Sequence, residues 1–227
     1  MPRVDIHFHL LPGLDDGPGT IEESVELADA AVRDWTSTVV ATPHVRSDQV
    51  SDVSDLPARV AELQDRLDRE GVELSVCCGG ELGHELVGTL TQHELDTIAV
   101  GPPGARWLLL EAPFGGFEES MHAAAAELRE RGFGVVIAHP ERSAGVLDDG
   151  AAAVRRELAA GTVLQVNAFS LTASMASRPR RPRCASCAKG WPLWSPRTPT
   201  AVGACPPCRS PSSRSWARAS ARRWLAG

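Results

Sequence analysis

Short apolar runs of strand length recur along the first three quarters of the chain, separated by stretches whose apolar positions follow a helical period. The runs Val4 to His9, Thr38 to Thr42, Glu73 to Cys78, Trp107 to Glu111, Val135 to Ala138 and Val163 to Val166 read as β-strands. Between them, Thr20 to Trp35 places Ile21, Val25, Leu27, Ala28 and Val32 on one helical face. Thr20 and Glu23 form a T-x-x-E capping signal ahead of it. Asp55 to Glu70 and Glu118 to Arg131 read as further helices, stopped by Gly71 and Gly132. Strict βα alternation implies a parallel sheet with crossover helices, either open or closed into a barrel.

From Met175 to Trp224 neither period persists, and proline recurs too often for a helix or a central strand. Charge changes at the same place. Residues 1–172 hold all 29 Asp and Glu against 12 Arg, a net charge of -17. Residues 173–227 hold 11 basic and no acidic residues, with 8 of the 17 Pro, 4 of the 6 Cys and 4 of the 6 Trp. The overall charge of -6 is therefore the sum of two unlike sequences. The first is expected to be one globular domain, the second a disordered basic tail. No apolar run reaches the roughly 18 residues of a membrane span, and the first residues do not resemble a signal peptide, so a cytoplasmic location without membrane insertion is expected.

In parallel βα architectures, chemistry gathers at the carboxyl ends of the strands. Here those positions carry His7 and His9, His44, Glu81, Glu111, His139 and Asn167. Asp15 and Asp16, in the Pro12 to Pro18 loop, could add a bridging carboxylate. Singly, each would read as a hydrogen-bonding or solvated side chain. At successive strand ends they are a ligand set for divalent first-row metals, and they outnumber the needs of one ion. A cluster of two or three ions is expected. His84, His93 and His122 fall in or beside helical stretches and are expected to have no chemical role; Cys77 and Cys78 read as core.

Asp5 to Pro18 (DIHFHLLPGLDDGP), Ala41-Thr42-Pro43-His44, Gly80-Glu81-Leu82 and Ala138-His139-Pro140-Glu141-Arg142 resemble the PHP (polymerase and histidinol phosphatase) superfamily. Within it they are similar to the manganese-dependent protein tyrosine phosphatases of bacterial capsular and exopolysaccharide operons. The resemblance spans residues 3–172 and is specific because H-x-H is joined to P-G-x-D-D-G at a fixed distance. It implies a distorted TIM-like (β/α)7 barrel, and metal-ligand roles for His7, His9, Asp16, His44, Glu81, Glu111 and His139. It further implies catalytic roles for His44 and Arg142, with Arg142 as the phosphate contact. The implied activity is hydrolysis of phosphate monoesters, protein phosphotyrosine foremost, by a metal-bridging hydroxide. The implied cofactor is Mn2+, with Fe or Zn as alternatives. The implied partner is a phosphotyrosine protein such as a bacterial tyrosine kinase, and a homo-oligomer is compatible. The alternatives are a histidinol-phosphatase-like small-molecule monoesterase and an inactive remnant.

The remnant reading arises because the family pattern ends in Asp-x-His on a last strand. This chain has no Asp after Asp149 and no His after His139. Reading Trp191 to Thr200 in the frame that joins each third base to the next two permits Ala-Ala-Val-Val-Ala-Ser-Asp-Ala-His, a hydrophobic strand ending in the missing motif. Residues from about 173 onward are therefore expected to be the translation of a frameshifted gene, leaving the last strand absent from residues 1–172. Two tail motifs compete with that reading. Cys184-x-x-Cys187 and Cys205-x-x-Cys208 have zinc-ribbon spacing, but no alternating strands accompany them. Cys208 and Arg214 match C-x5-R without the strand that loop requires. Nucleic-acid binding by the basic tail is set aside on the same frame argument.

Overall fold

The computed structural model describes residues 2–168 and 170. The tail motifs, the shifted-frame segment and the expected break at residue 173 lie outside them. Within them the order is β1 (Arg3–Phe8), α1 (Ile21–Arg33), β2 (Thr36–Ala41), β3 (His44–Val45), α2 (Leu56–Glu70), β4 (Ser75–Cys78), β5 (Glu81–Leu82), α3 (Gln92–Ile98), β6 (Trp107–Glu111), α4 (Glu119–Glu130), β7 (Gly134–Ala138), α5 (Ala152–Ala159) and β8 (Val163–Gln165). All six anticipated strands are present within two residues of their expected bounds. The helix ends obey the anticipated chemistry. Thr20 caps α1 by accepting from the Glu23 amide, although Glu23 reaches back to the Gly19 amide instead of that of Thr20. Gly71 ends α2 in the left-handed conformation at φ 71°. α3 opens on a complete capping box between Thr91 and Glu94.

The strands form two parallel sheets, β1-β2-β4 and β3-β5-β6-β7-β8. They are linked because β2 resumes as β3 after Thr42-Pro43, and β4 resumes as β5 after Gly79-Gly80. Across both sheets, neighbours therefore follow chain order. Proline breaks one ladder by removing a donor. At the other break, a Cβ on Gly79 would collide with the Val40 side chain, and one on Gly80 would stand 2.8 Å from Val45. Only glycines let the two runs pass this closely.

Apolar side chains cover both faces, as parallel strands require. One cluster, including Phe8, Val39, Leu108, Leu110, Val135 and Ile137, packs under the helices with Leu63, Leu67, Met121 and Leu128. A smaller one joins Leu109, Val136 and Ala138 to Ile6, Trp107 and Val163. One expectation is corrected here. Cys77 is exposed and Cys78 only partly buried, because β4 alternates out of the core instead of lying fully within it.

Candidate metal centre

The carboxyl ends of β1, β6 and β7 and the first residues of β3 and β5, where β2 and β4 resume, meet over one buried pole. β1 contains one extra residue relative to β2 between Asp5 and Phe8, a bulge that re-aims the side chains following it. His7, Glu81 and His139 are completely buried there, with His9 and Glu111 nearly so. His139 holds φ 33°, a strained conformation for a residue with a side chain, at the point where β7 leaves the sheet.

Glu81 is the hub. Its Oε1 accepts a 2.7 Å hydrogen bond from His139 Nε2. Its Oε2 lies 3.1 Å from His7 Nε2, 3.2 Å from His9 Nε2 and 3.0 Å from His44 Nδ1, yet this oxygen has no hydrogen-bond partner. Other groups have already fixed the protons. His9 donates Nδ1-H to Asp15 at 2.6 Å, and His7 donates Nδ1-H to the Gln165 side-chain oxygen at 3.1 Å. In their neutral forms both rings then turn Nε2 lone pairs toward Glu81, with the two Nε2 atoms 3.2 Å apart. Lone pairs facing a carboxylate in a buried space require a positive charge among them. In the metal-free protein a proton supplies it. Burial disfavours the His9 cation, but its hydrogen bond to Asp15 and the negative charge of the nearby Glu81 outweigh that and raise its pKa to about 10. Burial pushes Glu81 up, while the His7 charge and the His139, His7 and His9 contacts hold it well below the ordinary carboxylate range.

Three triads bring ligand atoms within 4.8 Å of one another: His7-His9-Glu81, His9-Asp16-His44 and His44-Glu81-Glu111. They share members, as a set serving adjacent ions would. Among the described residues the buried side-chain atoms without a hydrogen-bond partner are Asp16 Oδ1, His44 Nδ1, Glu81 Oε2, His139 Nδ1 and Glu141 Oε2. All lie in this pole or next to it in sequence. Such unmet demand, in imidazole nitrogens and carboxylate oxygens alone, fits divalent metal.

Of the seven ligand candidates, six enter triads, and His139 joins them through Glu81. Arg142 stands three residues past His139 with its guanidinium 4.7 Å above the Phe114 ring. Asp15 is not placed as a bridging ligand. Besides His9, it accepts from the His44 amide at 2.9 Å and the Gly17 amide at 2.9 Å, so it orients two of the site's histidines. Burial pushes Asp15 up, but the His9 contact and these amides hold it below its usual value.

Two participants are absent from the residues singled out in the sequence. Gln165 accepts from both His7 Nδ1 and the His139 amide, and donates to Asn167 at 2.9 Å. Its place as the inward polar residue of the last described strand was the available clue. Arg46 donates to Glu111 at 3.0 Å. Burial and the Glu81 charge raise Glu111, and Arg46 opposes them.

Sequential parallel strands with a buried His/carboxylate pole where they end or resume define an α/β protein whose side chains could hold a metal ion. Comparison with known proteins narrows this class. Residues 3–182 match the family described as "Capsular polysaccharide synthesis, CpsB/CapC", and the chain belongs to it. It is 33% identical over 144 residues to the tyrosine-protein phosphatase YwqE of Bacillus subtilis (strain 168), covering 62% of this chain and 55% of that protein. It is 25% identical over 167 residues to the tyrosine-protein phosphatase CpsB of Streptococcus agalactiae serotype V, covering 72% and 67%. The chain thus spans about half the length of the Bacillus relative. A solved structure, from work on YwqE of Bacillus subtilis and CpsB of Streptococcus pneumoniae as "unique metal-dependent tyrosine phosphatases", superposes with TM-score 0.60. Its identity is 26%, covering 76% of this chain and 74% of that one.

Proposed function

We propose that this protein is a metal-dependent phosphate monoesterase acting on protein phosphotyrosine. The observation that carries the reading is the convergence of three imidazole nitrogens on Glu81 Oε2 at 3.0–3.2 Å without a hydrogen bond. His7, His9, Asp16, His44, Glu81, Glu111 and His139 would hold two or three divalent ions, Mn2+ foremost. Bound ions would supply Lewis acidity toward phosphoryl oxygens and an activated nucleophile at neutral pH.

The chain's own residues do the rest. Asp15 and Gln165 take the Nδ1 protons of His9 and His7, leaving both Nε2 atoms to the pole. Arg142 offers a forked pair of donors to the phosphate. Burial of Glu81, His7 and His139 excludes water and strengthens each electrostatic contact made there.

Chain-ordered parallel strands support a finer fold reading, a distorted (β/α)7 barrel of which six strands, with β2-β3 and β4-β5 each counted as one, are the larger part. Residues 1–172 form its domain in this reading. Residues from about 173 onward are out-of-frame translation replacing a last strand that ends in Asp-x-His. A soluble cytoplasmic phosphatase fits the finding that no described helix is long and apolar enough to cross a membrane.

The test is metal content and phosphatase rate of this chain beside a version with the frame restored after Thr172. Both are assayed with Mn2+ on a phosphotyrosine peptide and on histidinol phosphate. Metal uptake with preference for the peptide is expected, and higher activity on restoration. Preference for histidinol phosphate would move the assignment to a small-molecule phosphatase, and absence of metal and turnover in both versions would refute it.

A further inference from the structure

Phe114 stands in the loop between β6 and α4 and belongs to no core cluster. It is 45% exposed, which a large apolar side chain tolerates only at a cost in water. Its surroundings are nevertheless fixed. The Phe114 carbonyl accepts from the Ala144 amide at 2.9 Å, and the Ser143 hydroxyl donates to the Pro113 carbonyl at 2.7 Å. These bonds tie the loop to the segment immediately after Arg142.

The ring is the outermost member of a series running into the buried pole. Phe114 lies nearly parallel to His139, at 7° and 6.4 Å between centroids. His139 stacks on His7 at 5.3 Å, and His7 is followed by His9 at 5.3 Å and His44 beyond it at 4.7 Å. Arg142 lies over the Phe114 ring. An aromatic needed only to seat a guanidinium could be covered by neighbouring chain; this one keeps nearly half its surface open beside the phosphate donor.

We propose that Phe114 is a specificity-determining residue, an aromatic wall that receives the aryl group of an aryl phosphate monoester and disfavours alkyl phosphates. The proposal rests on the phosphatase reading above. With the phosphate at Arg142, the ester substituent meets the open aromatic surface, where an aryl ring packs offset or edge-on against a flat partner. Such pairing favours aryl over alkyl by about threefold to tenfold.

The test uses the full, Mn2+-loaded chain with non-hydrolysable phenylphosphonate and ethylphosphonate in titration calorimetry, and phenyl phosphate and ethyl phosphate in turnover. Phe114→Ala should weaken phenylphosphonate binding about fivefold more than ethylphosphonate binding, and Phe114→Tyr should restore the preference. Phe114→Leu keeps an apolar side chain without the flat ring, so it carries the comparison if the alanine variant folds poorly. Equal losses for both ligands would mean that Phe114 only seats Arg142, and no loss would mean that it is idle; either overturns the proposal while leaving the phosphatase reading intact. If neither this chain nor its frame-restored version binds or hydrolyses either ligand, that reading fails first and this inference with it.

Discussion

Among the described residues, two buried histidine-glutamate clusters differ in how their hydrogen bonds close. Around Glu157, every charge has a partner. His122 donates to one carboxylate oxygen at 2.6 Å, Arg129 to the other at 2.9 Å, and the Thr162 hydroxyl to the latter at 3.0 Å. None of these atoms is unmet. Around Glu81, three ring nitrogens crowd one oxygen that accepts nothing. Residue type is the same in both places. Closure of the hydrogen bonds distinguishes a tie between α4 and α5 from a group of side chains that could hold a cation.

Removing a carboxylate should therefore have opposite consequences in the two clusters. Glu157→Ala leaves His122 and Arg129 without their partner in a buried setting and should destabilise the fold by about 3 kcal/mol. Denaturant unfolding checks this, and the stabilisation conferred by added Mn2+ should survive in the variant. Glu81→Gln should show the reverse response to metal, although the metal-free protein also loses the charge that faces the His9 cation. What disappears is the metal-linked increment, about 2.7 kcal/mol at a hundredfold excess over Kd. Thermal melts with and without Mn2+ read that difference directly. A Glu81→Gln protein still stabilised by Mn2+ would erase the distinction drawn between the clusters.

Groups that orient the histidines without belonging to a triad should fall between these extremes. Asp15→Asn keeps an oxygen near His9 but loses the charge, and Gln165→Leu loses the acceptor for His7 and the His139 amide. Each should weaken metal affinity about 10- to 100-fold with little change in fold. Competition with a chelator measures it. An unchanged affinity in both variants would show that the histidines are held by packing alone.

How far the sequence revealed these regions follows from the range of the interactions. His7, His9, His44, Glu81, Glu111 and His139 were legible because strand periodicity locates strand ends, and parallel architecture gathers those ends. Gln165 was not, since its contact with His7 crosses 158 positions. The pairing of His122 was equally hidden, since its partner Glu157 lies 35 positions away on a helix too short to have stood out. Interruption of the strands at Thr42-Pro43 and Gly79-Gly80 was also hidden, because close approach of two backbones is a property of the pair and not of either run. Cys77 was misread for a related reason. An apolar run says that one face is buried, and β4 turns Cys77 to the other.

The finest test of the comparison is pH. Burial pushes the Glu157 carboxyl up, but hydrogen bonds from His122, Arg129 and Thr162 more than reverse this, leaving it below its ordinary value of 4.5. A carboxyl held lower in the folded than in the unfolded state binds fewer protons when folded, so it stabilises the fold above the unfolded value. That contribution is lost as pH falls from about 4.5 through the folded value. Glu157→Gln cannot ionise. The stability gap between wild type and this variant should close as the solution is acidified below about pH 5. Denaturant titrations at each pH, made without metal, give the gap. A gap that persists at low pH would mean that the tie works through shape and neutral hydrogen bonding. The Glu157 cluster would then differ from the Glu81 pole in charge as well as in closure, a sharper division than the one drawn from hydrogen bonds alone.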